Sequence, residues 1–430
     1  MSARATAQNP MLAQGRHWYG QARTGEWRRK AKPWHLAGLT ALFASVVLGV
    51  LIFHACTDRN IDFTAFYAAA VLAAGGHGMA VYDPALLYQA ERAVALQNPA
   101  FAYNCFLYPP IALVLLRPLA LLPYPAALAI WTIVQLAAVT AVLRQTLAGL
   151  RPIIPVIAFP AIWYNFLLGQ DGLLNTAILG AAALALAGKR PGMAGGLMAL
   201  LCYKPQLILA IPGCLLAGRQ WRAVAAFALG VGGLALLSLW LDGIATWRAF
   251  LALFFHGAGA IYGTGPATSE HPGSLAVVVH ADTIVSVYGF ALTIGLCRLA
   301  AAVLQAVASC GALVVAAWIW RASPRLAPRV LSLLAGIALA APLFMLYDAT
   351  IYPLALAWVW RDREAASWLP WEATLFLAIY LTSLSFGCVC GTQLGWLDGL
   401  ALLWIAYRRA IHRADPSAGS QASMMTAVCE

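Results

Sequence analysis

The chain has 430 residues, 62% of them hydrophobic and only 10% charged, with a formal net charge of +11. Soluble domains carry about 25% charged residues, so this composition excludes a soluble globule. The apolar runs lack the ten-residue alternation of a membrane β-barrel, which leaves an all-α polytopic membrane protein whose positive charge reflects topology, with no nucleic-acid partner expected.

Residues 1–34 form a basic tail containing Arg16, Arg23, Arg28, Arg29, Lys30 and Lys32. The first apolar run, 35–55, has no convincing cleavage site after it and reads as a retained span. A long outer loop, about 56–123, opens with Asp58, Arg59 and Asp62 and holds the helix-like stretch PALLYQAERAVALQ after Asp83. Within it, PPIALVLLRPLALL (109–122) is apolar, but its prolines and Arg117 make it a juxtamembrane or re-entrant piece. Further spans are expected near 124–143, 152–168, 171–188, 192–203, 206–217, 221–241, 298–320, 329–347, 349–360, 371–388 and 394–409, about twelve transmembrane helices in all.

A second long outer loop, about 242–297, carries ATWRAFLALFFHG and the glycine-rich GAGAIYGTGP. Helices in both outer loops are expected to lie along the membrane surface. The transmembrane domain thus runs over 35–409, and 410–430 reads as a disordered cytoplasmic tail. With both termini in the cytoplasm, alternation of the spans leaves most of the 27 Lys and Arg residues on the cytoplasmic side, the bias of bacterial inner-membrane proteins.

The same topology gathers polar residues at the extracytoplasmic rim: Asp58, Asp62, Asn104, Tyr108, Gln170, Asp171, Asn175, Lys204, His256, Glu270, His271, Tyr347 and Asp348. Ionisable groups at this depth are costly and tend to serve function, so an active site is expected there. No G-x-x-x-x-G-K-[ST] or G-x-G-x-x-G motif occurs, which removes a nucleotide-driven pump. An enzyme working on the outer face would need a membrane-borne activated substrate, such as a lipid-linked phosphate.

Six stretches carry a resemblance: IDFTAFYAAAVLAAGGHGMAVYD (61–83), YPP (108–110), RPLALLP (117–123), LLGQDGLL (167–174), GMAGGLMALLCYKPQ (192–206) and APLFMLYDATIYPLAL (341–356). In this order they resemble glycosyltransferase family 87, over roughly residues 60–360. The resemblance implies a GT-C fold and transfer of a sugar, mannose first, from a polyprenyl-phosphate donor to a glycolipid or glycan acceptor. It implies Asp62 as the first-loop general base. Lys204 and Arg59 would face the donor phosphate, and Tyr108, Gln170, Asn175, His256, His271, Tyr347 and Asp348 would contact substrate. Family members have a histidine near the position where this chain has Tyr347-Asp348. Inversion at the anomeric carbon follows from direct displacement by one base. No metal or other cofactor is expected.

Each assignment has a plainer alternative. Asp62 would serve as a helix N-cap, with Asp58 the competing base. Lys204 would be a snorkelling anchor. Tyr347-Asp348 would be a turn with a capping aspartate, and Gln170 and Asn175 would cap a helix. Tyr108 would sit at the interface before two prolines that direct the chain. His256 and His271 have no metal-ligand spacing. A transporter or flippase of lipid-linked glycans is the second class of function, though no internal repeat of the kind transporters show is found.

Overall fold

In a computed structural model, the protein is described at residues 61–97, 101, 103–147, 158–261, 284–362, 367–385, 388–389 and 392–412. The basic tail, the expected first span, Asp58, Arg59, Glu270, His271 and the C-terminal tail lie outside the described residues, as does the side chain of His256.

Helix α1 (Phe63–Ala74) is followed by a 3-10 turn (Gly78–Tyr82) and α2 (Pro84–Val94). The start of α2 is written in the sequence: Pro84 takes the first helical position and Asp83 accepts hydrogen bonds from the amides of Ala85 (2.9 Å) and Leu86 (3.2 Å). Helix α3 (Ile111–Leu116) passes into a 3-10 turn (Arg117–Leu121) because Pro118 cannot continue an α-helix. Then come α4 (Tyr124–Leu147), α5 (Pro160–Leu168) and α6 (Gly172–Ala187).

Helix α7 (Pro191–Ala199) and a 3-10 turn (Leu200–Tyr203) lead to Lys204, after which α8 (Pro205–Ile208) and α9 (Ile211–Ala217) return. The sequence reading made 192–203 and 206–217 two separate spans. At ~1.5 Å per residue each arm reaches only about 20 Å, short of a bilayer core of about 30 Å. The arms form instead a short broken hairpin with Lys204 at its turn, broken where Pro205 and Pro212 interrupt the backbone ladder.

Helix α10 (Trp221–Ile261) bends at Gly243, whose φ of 75° and ψ of 164° lie outside helical values. Its first part runs parallel to α7, Gly195 meeting Ala223 and Gly230 meeting Ala199. Helices α11 (Val287–Thr293), α12 (Arg298–Ala322), α13 (Leu326–Ala340), α14 (Ile351–Asp362), α15 (Glu372–Leu384) and α16 (Trp396–Ile411) complete the described bundle, with a two-stranded ribbon of β1 (Cys388–Val389) and β2 (Thr392–Gln393). The expected span 329–347 ends early, at Ala340, ahead of Pro342; Tyr347 and Asp348 sit in a separate 3-10 turn (Leu346–Thr350).

Among the described residues, Tyr124–Leu147, Trp221–Phe255 and Arg298–Ala322 are long and apolar enough to cross a membrane. Large apolar side chains stand exposed along all three, including Ile133 on α4, Leu229, Leu236 and Trp240 on α10 and Leu299, Val307 and Val314 on α12. Such faces are what hydrocarbon would cover.

Two polar clusters mark opposite ends of the bundle. Near the start of α4 the Tyr124 hydroxyl is 3.0 Å from that of Thr64, beside Asp62. At its other end the Gln145 carbonyl accepts from Arg361 (3.0 Å), the next-to-last residue of α14. Around Arg361, Asp362 pairs with Arg325 and Arg409, and Arg409 grips Glu372 through two 2.7 Å hydrogen bonds. Arg409 is fully buried in this network. A helix the length of α4 separates the two ends by about 36 Å.

Candidate active site

The first element of the site is the turn between α5 and α6. Helix α5 ends at Gly169, whose φ of 67° is left-handed and favours glycine. Helix α4 fixes this turn from the side: Trp131 Nε1 donates to the Gly169 carbonyl (2.9 Å), and Gln135 Nε2 donates to the Gln170 carbonyl (3.0 Å). Gln135 Oε1 also accepts from the Leu174 amide at 3.2 Å. Gly172, the first residue of α6, sits so close to the Tyr347 carbonyl that a Cβ would lie 2.0 Å from that oxygen. This contact locks the turn of 169–172 against the turn of 346–350.

Asp62 faces that turn. Gln170 Nε2 donates to Asp62 Oδ2 at 2.6 Å, across 108 residues of sequence. The Asp62 side chain makes no helix-capping hydrogen bond, although it immediately precedes α1, so the plainer reading of this residue does not describe it. Half-burial and the loss of water raise its carboxyl above the ordinary range. The Gln170 amide and the Lys204 charge pull the other way, and the Asp171 charge adds to the rise.

Lys204 joins the remaining acids. Its Nζ donates to Asp348 Oδ1 at 2.6 Å and to Asp171 Oδ1 at 3.0 Å, and all three side chains are almost wholly enclosed. The ammonium stands 4.7 Å from the Tyr347 ring centre and 5.8 Å from that of Tyr108, within the range of a cation–π contact. A snorkelling lysine would keep its ammonium in water; this one is at 2% exposure and has two carboxylate partners. Asp348 Oδ2 also accepts from the Met345 amide (3.2 Å), so the capping role expected of a turn aspartate is present as well.

Asn175 lies inside α6, not at its cap. Its Nδ2 donates to Asp171 Oδ1 (3.2 Å), and its Oδ1 accepts from the Tyr203 hydroxyl (2.5 Å). Tyr203 stacks on Tyr108, ring centres 6.2 Å apart, and Tyr108 meets Phe66 edge-on at 5.4 Å. One further acid lies nearby on α2. Glu91 is fully buried, its Oε2 accepting from the Asn104 amide at 3.1 Å. Burial, with a contribution from the Asp62 charge, pushes its carboxyl up to about 9, so it is neutral at physiological pH.

Beside the cluster is a cavity of ≈ 270 Å³. Phe66, Tyr108, Trp131 and Tyr203 give it aromatic walls, and Leu115, Ile178 and Leu200 extend them with aliphatic ones; Asp171 is its one acidic lining residue among those described. It lies just below the ~300–1,000 Å³ range of pockets for drug-sized ligands, enough for one ring-sized group.

The structure therefore brings together seven of the residues singled out in the sequence: Asp62, Tyr108, Gln170, Asn175, Lys204, Tyr347 and Asp348. Arg59 and His271 lie outside the described residues, as does the His256 side chain. Sequence reasoning placed Asp171 at the rim without giving it a role, and it passed over Tyr203, Trp131 and Gln135. Tyr203 carries the only local signal among these, as the aromatic residue directly before Lys204.

A sequence model of glycosyltransferase family 87 matches residues 106–345. The chain belongs to glycosyltransferase family 87. The match takes in Tyr108, Gln170, Asp171, Asn175 and Lys204; Asp62 precedes it and Asp348 follows it. No curated protein and no solved structure matches the chain. Membership makes the protein a membrane glycosyltransferase, with a sugar donor and an acceptor as its substrates. Among the described residues no group of three His, Cys, Asp or Glu side chains is arranged to hold a metal ion.

Proposed function

We propose that this glycosyltransferase moves one sugar, mannose first, from a polyprenyl-phosphate to a hydroxyl of a glycolipid or glycan acceptor. The reaction takes place at the extracytoplasmic rim of a bacterial inner membrane. The observation that carries this reading is Asp62: a half-buried carboxylate whose side-chain hydrogen-bond partner among the described residues is Gln170, next in sequence to the cavity-lining Asp171. Asp171 and Asp348 are tied to the ammonium of Lys204; Asp62 keeps lone pairs for an incoming proton.

In this reading Asp62 takes the proton of the acceptor hydroxyl as that oxygen attacks the anomeric carbon. The bond from this carbon to the phosphate oxygen breaks, and the phosphate leaves with the electron pair. One displacement inverts the centre, so a β-linked donor gives an α-linked product. Lys204, with Arg59, offsets the charge that grows on the leaving phosphate. Among the described residues, two of the three ammonium N–H groups of Lys204 are engaged, which leaves one for that contact. Tyr108 and Tyr347 present ring faces next to it, and His256 and His271 are the proposed acceptor contacts of the second outer loop.

The cavity supports a lipid donor over a nucleotide sugar. Its aliphatic lining residues suit the start of a prenyl chain, which a nucleotide sugar lacks. The test is transfer by the purified protein in nanodiscs, with polyprenyl-phosphate-mannose and nucleotide-mannose supplied separately to the same glycolipid acceptors. Transfer from the lipid donor alone is expected; transfer from the nucleotide sugar alone overturns the reading.

A further inference from the structure

The lysine–carboxylate cluster has one feature the transfer chemistry leaves unused. Among the described residues, Asp171 Oδ2 and Gln170 Oε1 are buried acceptors without a hydrogen-bond partner, in side chains only 1% and 5% exposed. Native proteins rarely leave such atoms unpaired, and each asks for a reason. Asp171 lines the cavity. Its other oxygen, Oδ1, is held by Lys204 (3.0 Å) and Asn175 (3.2 Å), which together fix the plane of the carboxylate and so the direction of Oδ2. The Tyr203 hydroxyl stands close to Asp171, but its single proton goes to Asn175 Oδ1 at 2.5 Å. Gln170 is fixed in the same way, its Nε2 on Asp62 and its backbone carbonyl on Gln135.

We infer that Asp171 Oδ2 reads a hydroxyl group of the donor sugar, which makes Asp171 a specificity-determining residue. Unpaired acceptors call for donors, and a phosphate anion brings none. Sugar hydroxyls do, and the rings of Trp131, Tyr108 and Tyr203 offer flat apolar faces for the C–H side of a pyranose. On this view the ammonium of Lys204 also positions the Asp171 carboxylate. The inference rests on the cavity being the donor's site.

The experiment uses the full-length protein in nanodiscs with polyprenyl-phosphate-mannose and its single-deoxy analogues, one for each ring hydroxyl, measuring kcat/KM for wild type and Asp171→Asn. A buried group built to pair with a hydroxyl strongly rejects the analogue that lacks it. Wild type should therefore lose at least about 100-fold on one analogue, and Asp171→Asn should discriminate against that analogue by less than about 10-fold. A purely structural role for Asp171 would lower all donors alike and leave the ratio unchanged. Wild type that treats every analogue like the parent donor overturns the inference, as does an Asp171→Asn enzyme that discriminates as strongly as wild type. Should that variant not fold, Asn175→Ala, which removes one of the two groups holding Oδ1, is expected to weaken discrimination at the same hydroxyl and no other; unchanged discrimination overturns the inference. Absence of transfer from the parent donor and every analogue overturns the donor reading itself, and this assignment with it.

Discussion

Replacing Asp62 by Asn is expected to lower kcat by about 100- to 10,000-fold, the usual contribution of a positioned general base. The amide is nearly isosteric, and its oxygen can still accept the 2.6 Å hydrogen bond from Gln170 Nε2. What it lacks is basicity. Because the Asp62 side chain caps no helix, α1 does not depend on it and thermal stability should be unaffected. The loss should fall on kcat and leave donor KM largely in place, the signature of an interaction made in the transition state. The pH profile gives a second reading. A base works only when deprotonated, and burial holds this carboxyl above the ordinary range. Wild-type activity should therefore fall, as pH is lowered, at a higher pH than a solvent-exposed aspartate would produce. The residual activity of Asp62→Asn should show no such limb. An Asp62→Asn enzyme with wild-type kcat would move the base elsewhere, Asp58 being the nearest carboxylate in sequence.

Lys204→Met is expected to cost more than activity. The lysine is at 2% exposure and answers two carboxylates, Asp171 and Asp348, enclosed as fully as itself. Removing one partner of a buried ion pair leaves uncompensated charge and typically costs about 3–5 kcal/mol. Lys204→Met should therefore unfold at a clearly lower temperature in detergent, with transfer lost. Adding Asp171→Asn and Asp348→Asn removes the stranded charges, and the triple variant should regain most of the stability while staying inactive. A Lys204→Met protein that melts like wild type would mean that the two acids do not depend on this ammonium, and the cluster described above would be wrong.

How far the sequence reaches is clearest from particular residues. The start of α2 was legible because Asp83 and Pro84 are a capping pair whose effect is local. The breaks around Lys204 and Arg117 were legible because each is followed directly by proline. Positions of helices within the bundle were mostly readable from apolar run length. Their lengths were less so: 329–347 reads as one apolar stretch, yet Pro342 ends the helix and throws Tyr347 and Asp348 into a turn of their own.

Partnerships were not legible. Lys204 meets Asp348 across 144 residues and Asp171 across 33. Hydrophobic periodicity says which face of a helix is covered, not what covers it. The expected topology put these groups on one side of the membrane, which is why they were candidates. Only the packing of α4, α6 and the Lys204 hairpin makes them neighbours. The same holds at the other end, where Arg409 is the buried centre of an ion network with Asp362 and Glu372. Trp358, likewise, is 2% exposed, with the Arg361 guanidinium 5.4 Å from its ring centre.

The central claim is a single displacement with Asp62 as the only base, and the anomeric configuration of the product tests it most directly. Product formed by purified protein from β-linked polyprenyl-phosphate-mannose would be isolated and its anomeric proton and carbon couplings measured by NMR. The account predicts an α-linked product. A β-linked product would mean two successive displacements through a covalent sugar–enzyme intermediate, and a mechanism built on one base at Asp62 would be contradicted.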